Sequence, residues 1–218
     1  MVRGTIPPMV APNLRDEIAF AAARMIAEDG LDYSSAKRKA VRQLLGQNSP
    51  PRGDVMPDNA RVEEAVREYQ SLYMGDTQPA RLQHLREHAV QLMQWLEPFQ
   101  PYLTGAVWNG TAGEHSEIVL QCFADSAKDV AIFLLNANIA YDVDERPDFR
   151  GRGTVEAFYF MWRKEVVVLA IYDQDALRGA LKPAPDGRPE RGDVRALAQL
   201  LQDSASASGL HDSESERT

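Results

Sequence analysis

The spacing of apolar residues changes near Pro98 and Pro101, and this change constrains the fold more than any other feature of the sequence. Before these prolines, apolar residues recur every three or four positions, which predicts amphipathic helices. After them, apolar residues fall in short β-rich runs. The sequence therefore predicts an α+β protein, with an N-terminal helical bundle or cap over residues 13–100 and a small mixed-sheet domain over residues 101–202.

Four helices are predicted in the first half, because each apolar stripe follows a residue typical of a helix start. The starts lie near Asn13, near Ser34 or Ser35, near Asp58 or Asn59, and near Pro79. Each stripe needs a partner surface, which a small bundle or a cap over the second half provides.

The second half is predicted to contain five strands, a helix after Asp125 and a last helix from Asp193. The strands are expected over residues 102–107, 118–123, 141–143, 155–162 and 166–172, the last two forming a hairpin. Residues 1–12 are proline-rich and are expected to be mobile. Residues 203–218 are rich in Ser and acids and are expected to form a disordered acidic tail.

Composition restricts the classes of function. The net charge of −8 argues against an extended nucleic-acid surface. The single cysteine, Cys122, excludes a disulfide framework and a multi-thiolate zinc site within one chain, and its place in a predicted strand indicates a buried thiol. No apolar signal core or membrane-length stretch is present, so we expect a cytoplasmic protein with no membrane partner.

Two charged patterns in the helical region have both a functional and a plain structural interpretation. The basic residues Lys37, Arg38, Lys39 and Arg42 suit an RNA contact, but charge runs on helices are more often solvated. His84 and His88 are four residues apart and can place two ligands on one metal ion, but no third ligand is identifiable nearby in the sequence.

The connection between the first two predicted strands carries the strongest chemical signal. It reads LTGAVWNGTAGEHSEIVL over residues 103–120, a glycine and a polar loop followed by Ser-Glu at the start of a strand. This pattern resembles the core of the nucleotidyltransferase superfold typified by DNA polymerase beta. The wider chain also looks like an uncharacterised proteobacterial protein family. The sequence has no Gly-Lys-Ser/Thr phosphate loop and no Gly-x-Gly-x-x-Gly motif after a strand.

The resemblance implies a nucleotide site with Mg²⁺ between Gly105 and Glu117. It places Gly105 beside the nucleotide phosphates and Glu117 as a catalytic carboxylate and metal ligand, and Thr111 and Ser116 are further candidates for nucleotide binding. Val119 stands where the second carboxylate is expected, and residues 166–172 contain no third acid. Glu114 or Asp125 would have to compensate.

Two hypotheses therefore stay open. One is a metal-dependent nucleotidyltransferase. The other is a noncatalytic interaction or regulatory protein, which binds a nucleotide in the same place or uses the helical half to bind protein or RNA. A structure distinguishes them by the number of carboxylates that gather near Glu117, because one acid cannot hold two divalent ions alone.

Overall fold

The computed structural model describes residues 13–46, 55–151, 153–183 and 187–215, with side chains described as far as residue 206. It confirms an α+β protein in which N-terminal helices precede a mixed sheet. The chain divides into two compact units, Met1–Gly75 and Asp76–Thr218. The fourth helix therefore belongs to the same unit as the sheet, whereas its apolar pattern places it in the predicted helical region of residues 13–100. The predicted mobile segment, residues 1–12, lies outside the described residues.

The first unit contains the helices α1 (Leu14–Asp29), α2 (Tyr33–Leu45) and α3 (Asn59–Tyr73). Asn13 and Asp58 accept hydrogen bonds from backbone amides of α1 and α3, as the predicted caps require. The second cap is Asp32, not Ser34 or Ser35, because its carboxylate accepts the Ser35 amide. The buried stripes of the three helices, among them Ile18, Val41 and Val66, form one core.

The basic residues of α2 bond within the same unit. Lys37 Nζ donates to the Pro57 carbonyl and to Asn59 Oδ1, and Arg38 donates to the hydroxyls of Ser34 and Ser35. Lys39 lies 3.8 Å from an Asp29 carboxylate oxygen. These bonds give the basic run a role inside the helical unit and so do not favour the RNA interpretation.

The second unit contains a six-stranded sheet and the remaining helices. Its helices are α4 (Gln78–Trp95), α5 (Gly105–Asn109), α6 (Ala127–Asn136), α7 (Leu177–Ala180) and α8 (Val194–Ser215). Its strands are β1 (Tyr102–Thr104), β2 (Ile118–Phe123), β3 (Tyr141–Pro147), β4 (Thr154–Trp162), β5 (Glu165–Tyr172) and β6 (Arg191–Gly192). The strand order is β3-β4-β5-β2-β1-β6, in which β2 and β5 are parallel and the other neighbours are antiparallel.

The sheet separates two cores, because alternate residues of each strand point to opposite faces. On one face, Leu85 and Leu92 of α4 share a core with Ile118 and Leu169 of the sheet. On the other face, Phe123 and Tyr172 share a core that includes residues of α7. The apolar stripe of α4 therefore finds its partner surface on the sheet.

The strands differ from the prediction at three places. β1 ends at Thr104, because Gly105 has a φ of +70° and turns the chain into the short α5. β3 continues to Pro147, and β6 is a short strand in addition to the five that the sequence predicts. The hairpin β4–β5 is confirmed, with Met161 opposite Val166 near its turn.

The last helix is longer than its apolar pattern predicts. The pattern ends near Leu201, but α8 continues to Ser215, into the segment that was expected to be disordered. Leu197 is fully buried, whereas residues 203–206 are exposed. Within the described part of the chain, no helix is long and apolar enough to span a membrane.

Candidate functional site

Gly105 lies directly beside Val119, where β1 meets β2. Thr104 pairs with Val119 across the two strands, and a Cβ atom built on Gly105 would lie 3.8 Å from the Val119 Cβ. The structure therefore places Gly105 next to Val119, the residue for which the resemblance leads one to expect a second carboxylate. The residue at that position is an aliphatic side chain and not a metal ligand.

Thr111 and Ser116 are used to fold the loop that contains them. The Thr111 amide and hydroxyl both donate to Asn109 Oδ1, and the Ser116 hydroxyl accepts the Gly113 amide. The amides of Gly110, Thr111 and Ala112 also lie within hydrogen-bond distance of the Ala106 carbonyl. These hydrogen bonds hold the loop in its conformation from within.

Side chains of α4 hold the same loop by its backbone carbonyls. Gln78 Nε2 donates to the carbonyls of Gly110 and Ala112, at 3.1 and 2.9 Å. Arg86, which is buried, donates to the carbonyls of Val107 and Trp108, and its burial lowers its pKa. Neither side chain can be predicted from the sequence, because their partners are backbone atoms that no sequence motif marks.

Glu117 is exposed and lies one residue before β2. Because Ile118 pairs with Val167, Glu117 lies beside Val166 of β5, and Val119 pairs with Val168. On its own face of the sheet, the neighbours of Glu117 on β2 and β5 are therefore valines. Glu114 is exposed in the preceding loop.

Asp125 cannot join Glu117 in one metal site. It follows the carboxyl end of β2, whereas Glu117 precedes the amino end. At about 3.3 Å per strand residue, the six residues of β2 alone separate the two positions by about 17 Å. In the described parts of the chain, the only trio of His, Cys, Asp or Glu side chains close enough to hold a metal ion lies elsewhere and does not include Glu117.

Cys122 and His115 agree with their plain structural interpretations. Cys122 is fully buried in β2, and burial raises the pKa of its thiol, so its reactive thiolate form is disfavoured. His115 is exposed in the loop before β2.

His84, His88 and Glu165 form the trio, at the junction of α4 and β5. One potential ligand atom from each side chain lies within 4.8 Å of the others, and the two imidazole rings are 4.2 Å apart between centroids. His84 Nε2 lies 3.1 Å from Glu165 Oε1. Glu165 is the third group that was not identifiable near the histidines in the sequence.

Arg81 completes this cluster by forming a bidentate pair of hydrogen bonds with the Glu165 carboxylate. Its two terminal nitrogens donate to the two carboxylate oxygens, each at 2.6 Å, and one of them also reaches the Glu114 carbonyl at 3.3 Å. The hydrogen bonds from Arg81 are the main cause that lowers the pKa of Glu165. Burial, followed by the neighbouring His84, lowers the pKa of His88.

No protein-family model matches the chain, and no curated protein matches it.

Proposed function

We propose that this protein is a nucleotidyltransferase-like binding protein that holds a nucleotide weakly between Gly105 and Glu117 and does not transfer nucleotidyl groups. The observation that carries the proposal is Val119, which lies against Gly105 and pairs with Val168 at the position where the second metal ligand is expected. The likeness of the α+β unit to the nucleotidyltransferase superfold is itself part of the proposal.

The residues present suit one magnesium ion that arrives with a nucleotide, but not a pair of catalytic ions. Mg²⁺ is commonly held by one or two carboxylates together with substrate phosphates, and Glu117 supplies one exposed carboxylate. Two-metal transfer needs ligands that bridge or flank both ions. Valines occupy the neighbouring positions on β2 and β5, so we derive no transfer step through a metal pair.

The surface beside Glu117 is suited to contact an apolar part of a ligand. Met161 and Val166 form an exposed pair on the hairpin β4–β5, with 56% and 42% of their surfaces exposed. Because paired residues point to the same face of a sheet, this apolar patch lies on the face of Glu117. A nucleotide can therefore place its base on the patch while its phosphates and Mg²⁺ lie near Glu117.

The second candidate is an interaction function of the helical unit. A cleft of about 480 Å³ in this unit is lined by apolar groups and by charges of both signs, including the partly exposed Phe20 and Leu44 and the charged Arg24 and Glu68. This mixed lining favours a protein segment over RNA. The cleft contains no residue of the 105–117 loop, so a variant at Glu117 separates the two candidates.

Replacing Glu117 tests the proposed nucleotide site. We expect calorimetric titration of the full chain with Mg²⁺ and an NTP to show weak binding, which Glu117→Ala removes because the carboxylate proposed to hold the ion is lost. Glu156→Ala is the matched control, since it removes an exposed acid of β4 that has no part in the proposed site. Tight binding that survives Glu117→Ala would place the nucleotide elsewhere.

Restoring the missing carboxylate is the complementary test. If β1 and β2 are arranged as in the superfold, Val119→Asp should strengthen Mg²⁺-dependent NTP binding by about tenfold or more, equivalent to about 1.4 kcal/mol. Val143→Asp adds the same charge at an exposed valine of β3 and should have no effect. An unchanged affinity in a folded Val119→Asp chain would contradict the assigned position. Nucleotidyl transfer by the wild-type chain would overturn the noncatalytic proposal.

A further inference from the structure

We propose that His84, His88 and Glu165 form a binding site for a divalent transition metal of the zinc class. The site lies at the junction of α4 and β5 and contains none of the residues of the proposed nucleotide site. The inference goes beyond the proposed function and does not depend on it.

The donor set selects the class of metal. Two imidazole nitrogens and one carboxylate oxygen are typical ligands of Zn²⁺ and its first-row neighbours, whereas Mg²⁺ and Ca²⁺ prefer oxygen ligands alone. The helix supplies both nitrogens because residues four apart share one face of a helix. Glu165 supplies the oxygen from β5, and it is a buried acid, with 8% of its surface exposed.

The distances need only a small adjustment to reach coordination geometry. With metal–ligand bonds of about 2.1 Å, tetrahedral ligand atoms lie about 3.4 Å apart. The potential ligand atoms of the trio lie within 4.8 Å of one another, and His84 Nε2 is already 3.1 Å from Glu165 Oε1. The His84 side chain is 48% exposed and has room to rotate. Metal binding would replace its contact with Glu165.

An unsatisfied polar atom gives independent support. His88 Nδ1 is buried and has no hydrogen-bond partner among the described residues. A buried polar atom without a partner carries a free-energy cost. Coordination of a metal ion, or a hydrogen bond with a group that is ordered around the ion, can remove that cost. His88, a member of the trio, thus has a ring nitrogen that no described contact explains.

Arg81 acts on the site through Glu165. An ionised carboxylate has about four lone-pair directions, and the two hydrogen bonds from Arg81 leave others open to a metal ion. Such bonds orient a ligating carboxylate, as outer groups do in known metal sites. The guanidinium charge also repels a cation, so we expect moderate rather than extreme affinity. The exposed side of His84 leaves a coordination position for water.

The test is a calorimetric titration of the chelator-treated full chain with Zn²⁺. We expect one ion per chain. His84→Ala and His88→Ala should each weaken binding by at least about tenfold, because changes to outer-shell partners alone cost 10- to 100-fold. His115→Ala removes an exposed histidine outside the cluster and should leave the affinity unchanged. Circular dichroism of each variant verifies that it is folded.

Two further measurements sharpen the result. Co²⁺ bound to the wild-type chain should give visible absorption bands that His84→Ala and His88→Ala change. Glu165→Gln keeps an oxygen for Arg81 and should also weaken Zn²⁺ binding. Wild-type affinity in a folded His84→Ala or His88→Ala chain, or the absence of saturable Zn²⁺ binding, would overturn the site. Neither outcome bears on the Mg²⁺–NTP titration at Glu117.

Discussion

Arg81→Ala is expected to lower the free energy of unfolding of the sheet-containing unit by about 3 kcal/mol at neutral pH. The substitution removes the guanidinium that donates to both oxygens of Glu165, whose side chain is only 10% exposed. A buried carboxylate without its partner retains its desolvation cost. Glu165 keeps its contact with His84, so the expected loss of stability is at the lower end of the range for a buried ion pair that loses one partner.

Denaturant unfolding of the wild type and the variant at several pH values measures this loss. Arg81 lowers the pKa of Glu165, so the contribution of the pair is full above the unfolded glutamate pKa of 4.5 and is lost as the pH falls through the lower folded value. The deficit of Arg81→Ala should therefore shrink in acid. Gln83→Ala, which removes an exposed hydrogen bond on the same helix, should change stability by no more than about 0.5 kcal/mol. A deficit as small as that control at neutral pH would contradict the prediction.

Gly192→Ala is expected to destabilise the same unit by about 1–3 kcal/mol, because its new methyl group would overlap the Trp108 ring. A Cβ atom built on Gly192 would lie 2.1 Å from the nearest ring atom. The ring cannot move away without cost, since Trp108 Nε1 donates to the Pro189 carbonyl at 2.8 Å. Trp108 is part of α5, so the substitution strains the element that follows Gly105.

Gly179→Ala is the matched control for this substitution. Gly179 lies in α7, and a Cβ atom built there meets nothing within 4 Å, so alanine should be neutral or slightly stabilising. Thermal unfolding of the two variants and of Gly192→Ala combined with Trp108→Leu completes the test. The smaller side chain should remove most of the added cost of Gly192→Ala. If the cost is the same with leucine at position 108, the predicted overlap with the ring is wrong.

The elements of this fold follow largely from the sequence because their signals are local. The caps at Asn13 and Asp58 and the β-rich runs of the hairpin β4–β5 depend on neighbouring residues alone. The division of the chain was less accessible, since it depends on which surface covers the stripe of α4. A regular stripe fits another helix or a sheet equally well, and only the tertiary structure distinguishes the two.

The candidate sites show the same limit. The four-residue spacing of His84 and His88 was visible in the sequence, but Glu165 joins them only because β5 lies beneath α4. Thr111 and Ser116 have side chains suited to phosphate, and the structure uses both to fold their own loop. The type of a residue indicates what its side chain can bind. Whether its polar groups are still available for a ligand depends on the folded conformation of the backbone around it.

The two outer strands of the sheet limit how this protein can associate with other chains. An uncovered strand offers unpaired backbone groups to which a strand of another molecule can add. At one side, β3 carries the exposed charges Asp142, Asp144 and Glu145 and ends at Pro147, which has no amide hydrogen to donate. At the other side, β6 is only two residues long. Both margins are therefore poor templates for intermolecular sheet growth, which protects the strongly apolar β2 and β5 between them from aggregation.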